Sequence, residues 1–130
     1  VYFLPLAYPE GSPTHPTYPA VHATVAGASL TLLKAFFNGD LPFPPHPDFP
    51  DAAGVVPNAE GTALVPYNGA PLTITGELNK FAMNIAVGRN MAGVHWRSDA
   101  TQSLLLGEQV ALRILEDWAY NNHIPFDGFT

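Results

Sequence analysis

Apolar residues recur at the spacing of an α-helix in three segments of the chain, and each segment predicts a helix. The first predicted helix covers residues 20–37 and ends near Asn38 and Gly39, a pair that commonly stops helices. Its predicted apolar stripe consists of Val21, Val25, Ala28, Leu32 and Ala35 or Phe36. Small residues between these positions would let a neighbouring helix approach closely.

The second and third predicted helices follow in the C-terminal half of the chain. The second begins with Thr75 as N-cap and runs to about Asn90. Its apolar residues stand at i, i+3, i+4, i+7 and i+8: Leu78, Phe81, Ala82, Ile85 and Ala86, with Arg89 continuing the stripe. The third starts near residues 96–99 and ends near residues 121–122. Its predicted buried face is Leu104, Gly107, Ala111, Ile114, Leu115 and Trp118.

Prolines mark the loops between these helices. They are dense before residue 20 and between residues 42 and 71, and absent from residues 20–41 and 72–124. Because proline removes a backbone donor and fixes φ, the dense regions are predicted to be loops. Within residues 38–76, the segments 62–65 and 72–75 flank Asn68 and Gly69, which predicts a small β-hairpin. The predicted fold class is all-α, with long proline-rich loops and one small hairpin.

The composition narrows the possible classes of function. Charged residues make up 12% of the chain, against about 25% in ordinary globular domains. This low charge predicts a surface covered by a partner subunit or by more of the same polypeptide. Five Lys and Arg residues and a net charge of −6 argue against nucleic-acid binding. The chain has no cysteine, which excludes disulfides, thiolate metal sites and a cysteine nucleophile.

We expect neither a signal peptide nor a membrane span in these residues. The first five residues lack a basic region and break at Pro5. The most apolar stretch, residues 20–37, contains His22 and Lys34, which is typical of a buried helix. Because the sequence does not start with Met, we expect it to begin partway through a longer product.

Three places put polar groups among apolar neighbours. His22 falls in the first turn of the first predicted helix, where unpaired N–H groups and the helix dipole favour an oxyanion. Arg89 ends the second helix, and His95 follows a short turn. Asp99 stands four residues after His95, so in a helix its carboxylate would hold Nδ1–H and leave Nε2 as the free base. Together these groups suit a tetrahedral or trigonal-bipyramidal oxyanion such as phosphate or vanadate.

Each of these residues also has a purely structural interpretation when it is taken alone. His95 and Asp99 can form a pair that only caps or solvates a helix. Arg89 can be a helix-end charge whose alkyl chain packs while its head reaches water. His22 can be a cap or core residue, and His15 lies in a proline loop where exposure is the ordinary outcome. The joint occurrence of these residues favours a functional site.

Longer strings around these residues resemble the C-terminal part of a vanadium-dependent haloperoxidase of the red-algal and cyanobacterial bromoperoxidase type. The strings with the most specific resemblance are residues 76–80 (GELNK), 88–95 (GRNMAGVH) and 103–110 (SLLLGEQV), supported by residues 10–16 and 25–37. The Arg-x5-His-x3-Asp spacing is shared with acid phosphatases of the same superfamily. The resemblance covers nearly the whole chain and is weakest over residues 40–70.

The resemblance implies a fold and a reaction. Residues 1–130 would form the C-terminal part of one catalytic domain, a helical-bundle half that is incomplete alone. The activity would be oxidation of halide by hydrogen peroxide to a hypohalous acid equivalent, which halogenates organic acceptors. The implied partners are hydrogen peroxide, bromide, an organic acceptor, and either further copies of the chain or the missing N-terminal part. An extracellular, cell-wall or periplasmic location is also implied.

The resemblance also implies residue roles around a vanadate cofactor. His95 would bond the metal through nitrogen, Arg89 would pair with the equatorial oxygens, and Asp99 would orient His95. His22 would be the acid–base group that moves a proton off hydrogen peroxide. Vanadate would also lie near the backbone N–H of Val21, and His15 would be a supporting residue of the pocket.

Two departures from the family pattern leave alternatives open. The family reads Pro-Ser-Gly-His before the catalytic histidine, whereas this chain has Ala20 and Val21 in the second and third positions, so one hydroxyl is lost. In the family, a lysine and a further arginine also contribute positive charge to the anion site, and both would fall before residue 1 of this sequence. The alternatives to a bromoperoxidase are therefore an acid phosphatase of the same superfamily, with His95 as nucleophile, and a structural or assembly subunit with a degenerate site.

Overall fold

Three helices and one pair of short strands make up the part of the chain that the structure, a computed structural model, describes: residues 13–124 and residue 126. In chain order the elements are α1 (Val21–Lys34), β1 (Gly54–Pro57), β2 (Leu64–Tyr67), α2 (Ile74–Met91) and α3 (Arg97–Asn122). The predicted all-α helical-bundle class is confirmed, although α1 ends at Lys34, earlier than predicted. The chain start used to judge a signal peptide, and the first part of the string 10–16, lie outside the described residues.

Helices α1 and α3 approach each other closely, and two glycines make this possible. A Cβ atom at Gly107 would lie 2.7 Å from the backbone nitrogen of Ala28 and would overlap the carbonyl oxygen of Thr24. A Cβ atom at Gly27 would overlap the carbonyl oxygen of Leu104. The two helix backbones therefore touch at this crossing, and α2 packs against both helices.

Small side chains dominate the buried core, and this corrects the faces predicted from hydrophobicity. The buried apolar residues of the helices and their caps are mostly alanines: Ala20, Ala23, Ala26, Leu30, Ala82, Ala86, Ala92, Ala100, Ala111, Leu115 and Ala119. Val21, Val25 and Phe81 were predicted to be buried but are 60%, 58% and 58% exposed. Helices that approach this closely leave room only for small residues between them, so residue size selects the inner face.

A small hairpin is present as predicted, but its turn lies at residues 58–63 and not at Asn68 and Gly69, and one of its predicted strands was wrong. β1 pairs antiparallel with β2, and Val56 lies opposite Val65. The segment 72–75, predicted as the second strand, instead starts α2. Thr73 is the true N-cap, where its side-chain oxygen accepts a hydrogen bond from the N–H of Gly76 at 3.1 Å. This capping bond fixes the helix start two residues before the predicted Thr75.

Within residues 13–124 and 126, none of the helices combines the length and the apolar character that a bilayer crossing requires.

Candidate functional site

A tight turn joins α2 to α3 and carries two of the predicted site residues. The N–H of Val94 donates to the carbonyl oxygen of Arg89 at 3.3 Å, and the N–H of Gly93 donates to that of Asn90 at 2.9 Å. Gly93 has φ +79°, which a residue with a side chain rarely adopts. These features form a Schellman motif. The turn therefore fixes the backbone path from Arg89 to His95.

His95 and Asp99 form the buried polar pair that the spacing predicts. Nδ1 of His95 lies 3.5 Å from Oδ2 of Asp99, and the two side chains are 4% and 8% exposed. The same carboxylate oxygen accepts a hydrogen bond from the N–H of Trp96 at 3.1 Å, which caps the start of α3. The carboxylate is thus held by the backbone while it faces the imidazole.

The electrostatic state of Asp99 follows from these contacts. The backbone N–H of Trp96 is the main cause that lowers the pKa of Asp99 below its ordinary value. The side chains of His95 and Thr17 act in the same direction, whereas burial opposes it. Asp99 is therefore ionised near neutral pH, as a carboxylate that orients an imidazole must be.

A pocket of about 380 Å³ opens beside this pair. It contains polar groups from two stretches of the chain, and its described lining is Pro13, His15, Thr17, Asn90, Gly93, Val94, His95 and Trp96. His15 is exposed, and its Nδ1 lies 2.8 Å from the carbonyl oxygen of Pro16. A neutral His15 with its proton on Nδ1 would donate to that oxygen and keep Nε2 as an acceptor. The structure therefore brings His15 and His95 to one pocket.

The structure places His22 elsewhere. It lies in the first turn of α1 and lines an apolar groove of about 530 Å³ between α1 and α2, together with Val25, Leu33 and Phe81. Arg89 is half-buried with its Nε enclosed by protein. Neither His22 nor Arg89 is among the described residues that line the pocket beside His95. The predicted convergence of these residues on one anion stays a prediction.

The N-terminus of α1 is tied to α3 by a residue that the sequence reasoning missed. The backbone N–H of Ala20, the N-cap of α1, donates to Oγ of Ser103 at 2.8 Å. Val21 follows as the first residue of the helix, where the N–H has no partner within the helix. A serine inside a helical run among alanines and leucines was the available signal, because a buried hydroxyl there needs a partner.

Two further polar residues at the pocket were also missed. Thr17 reaches Asp99, and the carboxamide oxygen of Asn90 is buried without a hydrogen bond from any described residue. Nδ1 of His95 likewise makes no hydrogen bond of ordinary geometry within the described residues. Buried polar atoms of this kind are uncommon and cluster here in one short segment.

The described residues contain no group of three or more His, Asp or Glu side chains placed to hold a metal ion. The arrangement therefore lacks the ligand set of a multidentate cation site. A buried imidazole that faces a carboxylate can supply one nitrogen ligand to an oxyanion centre.

Comparisons with known proteins agree with the observed fold and with the family resemblance of the sequence. The family model described as "VCPO second helical-bundle domain" matches residues 2–121. A vanadium-dependent bromoperoxidase of Corallina pilulifera is 46% identical over 136 aligned positions, which cover 99% of this chain and 22% of the relative. A vanadium-dependent bromoperoxidase of Ascophyllum nodosum is 47% identical over 114 positions, covering 88% of this chain and 20% of the relative.

A solved structure gives the same result in three dimensions. The homohexameric structure of the second vanadate-dependent bromoperoxidase from Ascophyllum nodosum superposes with a TM-score of 0.73 at 38% identity. The match covers 88% of this chain and 21% of that chain. The present chain thus spans about a fifth of the length of the relatives it matches.

Proposed function

We propose a function from the premise that this chain belongs to the family of the VCPO second helical-bundle domain, and so is part of a vanadium haloperoxidase. The proposed function is that of one portion of a vanadate-dependent bromoperoxidase. The whole protein would oxidise bromide with hydrogen peroxide and halogenate organic acceptors. The relatives at 46% and 47% identity, both bromoperoxidases, support this choice within the family.

The observation that carries the proposal is the pair of His95 and Asp99. The pair is buried, the carboxylate is anchored by the N–H of Trp96, and the imidazole lines a pocket. A carboxylate at Nδ1 selects the tautomer whose Nε2 lone pair is free to bond a metal centre. A structural surface pair would not need this degree of burial.

The residues present fit vanadate in part. His95 supplies one nitrogen ligand, and the half-buried guanidinium of Arg89 supplies charge that can pair with oxyanion oxygens. The first amides of α1, beginning with Val21, offer N–H donors at the positive end of a helix dipole. Bound vanadate would supply a Lewis-acidic centre that activates hydrogen peroxide toward halide.

The chain's own residues would hold the anion and move protons. Asp99 keeps His95 in one tautomer and offsets positive charge that develops on the ring. Arg89 holds negative oxygen atoms through paired N–H donors. His22 would accept a proton from hydrogen peroxide, and His15 would stabilise groups at the pocket beside His95. For His22 to act there, its ring must reach the pocket beside His95 in the whole protein.

We also propose that the protein works as an oligomer. The Ascophyllum neighbour is described as homohexameric. The low charge of this chain and its many exposed apolar side chains, such as Trp118 and Met91, support burial of its surface by other protein.

The test is a bromination assay on the full-length protein, meaning the whole protein that contains this chain. A phenol dye is brominated with hydrogen peroxide and bromide, with and without added orthovanadate. We expect turnover that depends on vanadate and is lost in His95→Ala, whereas the control His46→Ala, in the proline-rich loop between α1 and β1, keeps it. Turnover that ignores vanadate, or survives in His95→Ala, would rule the proposal out.

A second candidate function is a structural or assembly module with a degenerate site. Two observations favour it: Ala20 carries no hydroxyl, and His22 lines the apolar groove instead of the pocket beside His95. Full-length protein that oligomerises but binds no vanadate would support this candidate. Hydrolysis of a phosphate ester faster than bromination would instead point to the acid phosphatase alternative.

A further inference from the structure

Ser103 makes a hydrogen bond that is shielded from water. Its residue is 0% exposed, and its Oγ accepts the backbone N–H of Ala20 at 2.8 Å. Ala20 is itself 1% exposed. The two residues lie 83 positions apart in the chain, so the bond links distant segments directly. A shielded bond of this kind is costly to leave unmade, because the N–H cannot turn to water instead.

The two ends of this bond carry the two halves of the candidate site. Ala20 is the N-cap of α1, one residue before Val21 and two before His22. Ser103 lies one helical turn after Asp99 on α3, the helix that begins just after His95. The bond therefore fixes the first turn of α1 relative to the segment that holds the oriented imidazole.

The hydrogen bond between Ala20 and Ser103 is directional, whereas the apolar contacts around it are not. The core cluster at this place consists of Ala20, Ala23, Ala86 and Ala100, with Leu104 packed against it. Alanine methyl groups fill space but make no directional contact. The glycine crossing holds the middle of α1 against α3, and the hydrogen bond to the N-cap adds a directional contact at the α1 terminus.

We propose that Ser103 is a positioning residue for the reaction. Its hydroxyl holds the N-terminal turn of α1, and with it His22 and the N–H of Val21, in register with His95. This inference rests on the proposed function, since it assigns the α1 terminus to the anion site. Ser103 touches no reacting atom and acts only through Ala20.

The experiment compares two buried hydroxyls in the full-length protein. Ser103→Ala removes the bond to Ala20. The matched control Thr31→Ala removes another buried hydroxyl, on α1 itself, where Thr31 is 3% exposed. Thr31 stands nine residues after His22, which is about 13 Å along the helix axis. Both variants should lower the melting temperature, so loss of stability alone cannot explain a difference between them.

Two readouts separate positioning from stability. The first is the ring NMR signal of His22 in vanadate-free protein, assigned by its absence in His22→Gln. The second is the dissociation constant for orthovanadate, measured by calorimetry. In Ser103→Ala we expect the His22 signal to shift and the dissociation constant to rise about tenfold, the size of one lost hydrogen bond. In Thr31→Ala we expect neither change.

Further results complete the test. With bromide and peroxide, Ser103→Ala should lower kcat about a hundredfold, as misplacement of about 1 Å can do. If Ser103→Ala does not fold, Ser103→Cys replaces the hydroxyl by a somewhat larger thiol, which is a weaker acceptor, and should show the same changes in smaller measure. A His22 signal and vanadate affinity that are unchanged in a folded Ser103 variant, or changed equally in Thr31→Ala, would overturn the inference. A wild-type protein without vanadate-dependent turnover contradicts the proposed function, whereas the vanadate-free NMR shift tests the Ser103 coupling separately.

Discussion

The backbone N–H of Val94, the residue before His95, donates a 3.3 Å hydrogen bond to the carbonyl oxygen of Arg89, and this bond closes the turn that follows α2. The bond spans a turn that only works because Gly93 adopts a positive φ. The turn therefore fixes the backbone positions of Arg89 and His95 relative to each other.

Replacing the turn glycine should disturb both stability and the site. Gly93→Ala forces a side chain into the left-handed region, at a cost of about 1–2 kcal/mol in the free energy of unfolding. Gly61 has a similar φ of +68° in the hairpin loop, with open space around it, so Gly61→Ala is the matched control. Both variants should melt earlier, but only Gly93→Ala should weaken orthovanadate binding in calorimetry. Equal affinities would show that the turn does not shape the site.

Acid stability should depend on Asp99. Its pKa is lowered in the folded chain, chiefly by the N–H of Trp96, from an ordinary value of 3.8. Its stabilising effect is therefore fully present above that value and is lost as the pH falls through the lowered folded pKa. In Asp99→Asn this part of the pH dependence should disappear. Melting temperatures measured over the acid range check this, with exposed Asp117→Asn as the control that keeps the wild-type profile.

The crossing of α1 and α3 should tolerate no side chain at Gly107. The added methyl group of Gly107→Ala would overlap the backbone of α1 at Thr24 and Ala28. We expect a loss of about 1–3 kcal/mol, the usual cost of overpacking. At Gly88 in α2 nothing lies within 4 Å of an added Cβ, so Gly88→Ala should be neutral or stabilising. Urea denaturation of both variants measures their free energies of unfolding. A Gly107→Ala variant as stable as wild type would contradict the close crossing of α1 and α3.

Restoring the family's Ser-Gly pair should strengthen the anion site. The double variant Ala20→Ser, Val21→Gly supplies a hydroxyl and removes a branched side chain at the α1 terminus. A donor aimed at an oxyanion is worth roughly 10²–10³ in rate. We expect kcat for bromination to rise, whereas the control Ala59→Ser, at an exposed position between β1 and β2, should leave kcat unchanged. If the double variant folds but binds vanadate no better than wild type, the α1 terminus is not part of the anion site.

The periodicity of the sequence predicted the helices well because start and stop signals accompany it. The predicted end of α2 near Asn90 lies one residue from its observed end at Met91, although its N-cap is Thr73 and not the predicted Thr75. The spacing of His95 and Asp99 predicted their contact. The faces were predicted less well. Val21 and Phe81 are more apolar than Ala23 and Ala82, yet the closely packed helices bury the alanines. Hydropathy alone does not report how near two backbones will come.

The relationships between distant segments were harder to predict. No local pattern indicates that Ser103 will accept the N–H of Ala20, because that bond depends on how α1 and α3 cross. The placement of His22 in the apolar groove likewise depends on α2, whose Phe81 and Ile85 form the opposite wall. Contacts between side chains within one helical turn can be predicted from their spacing in the sequence. Contacts between helices can be predicted only when the packing of the helices is known.

The most direct test of the central claim is a crystal structure of the full-length protein grown with orthovanadate. Our account predicts density for a metal oxyanion bonded to Nε2 of His95, with the guanidinium of Arg89 at its oxygens and the N-terminal turn of α1 facing it. An empty His95 ring at saturating vanadate, or an oxyanion bound away from His95, would contradict the account.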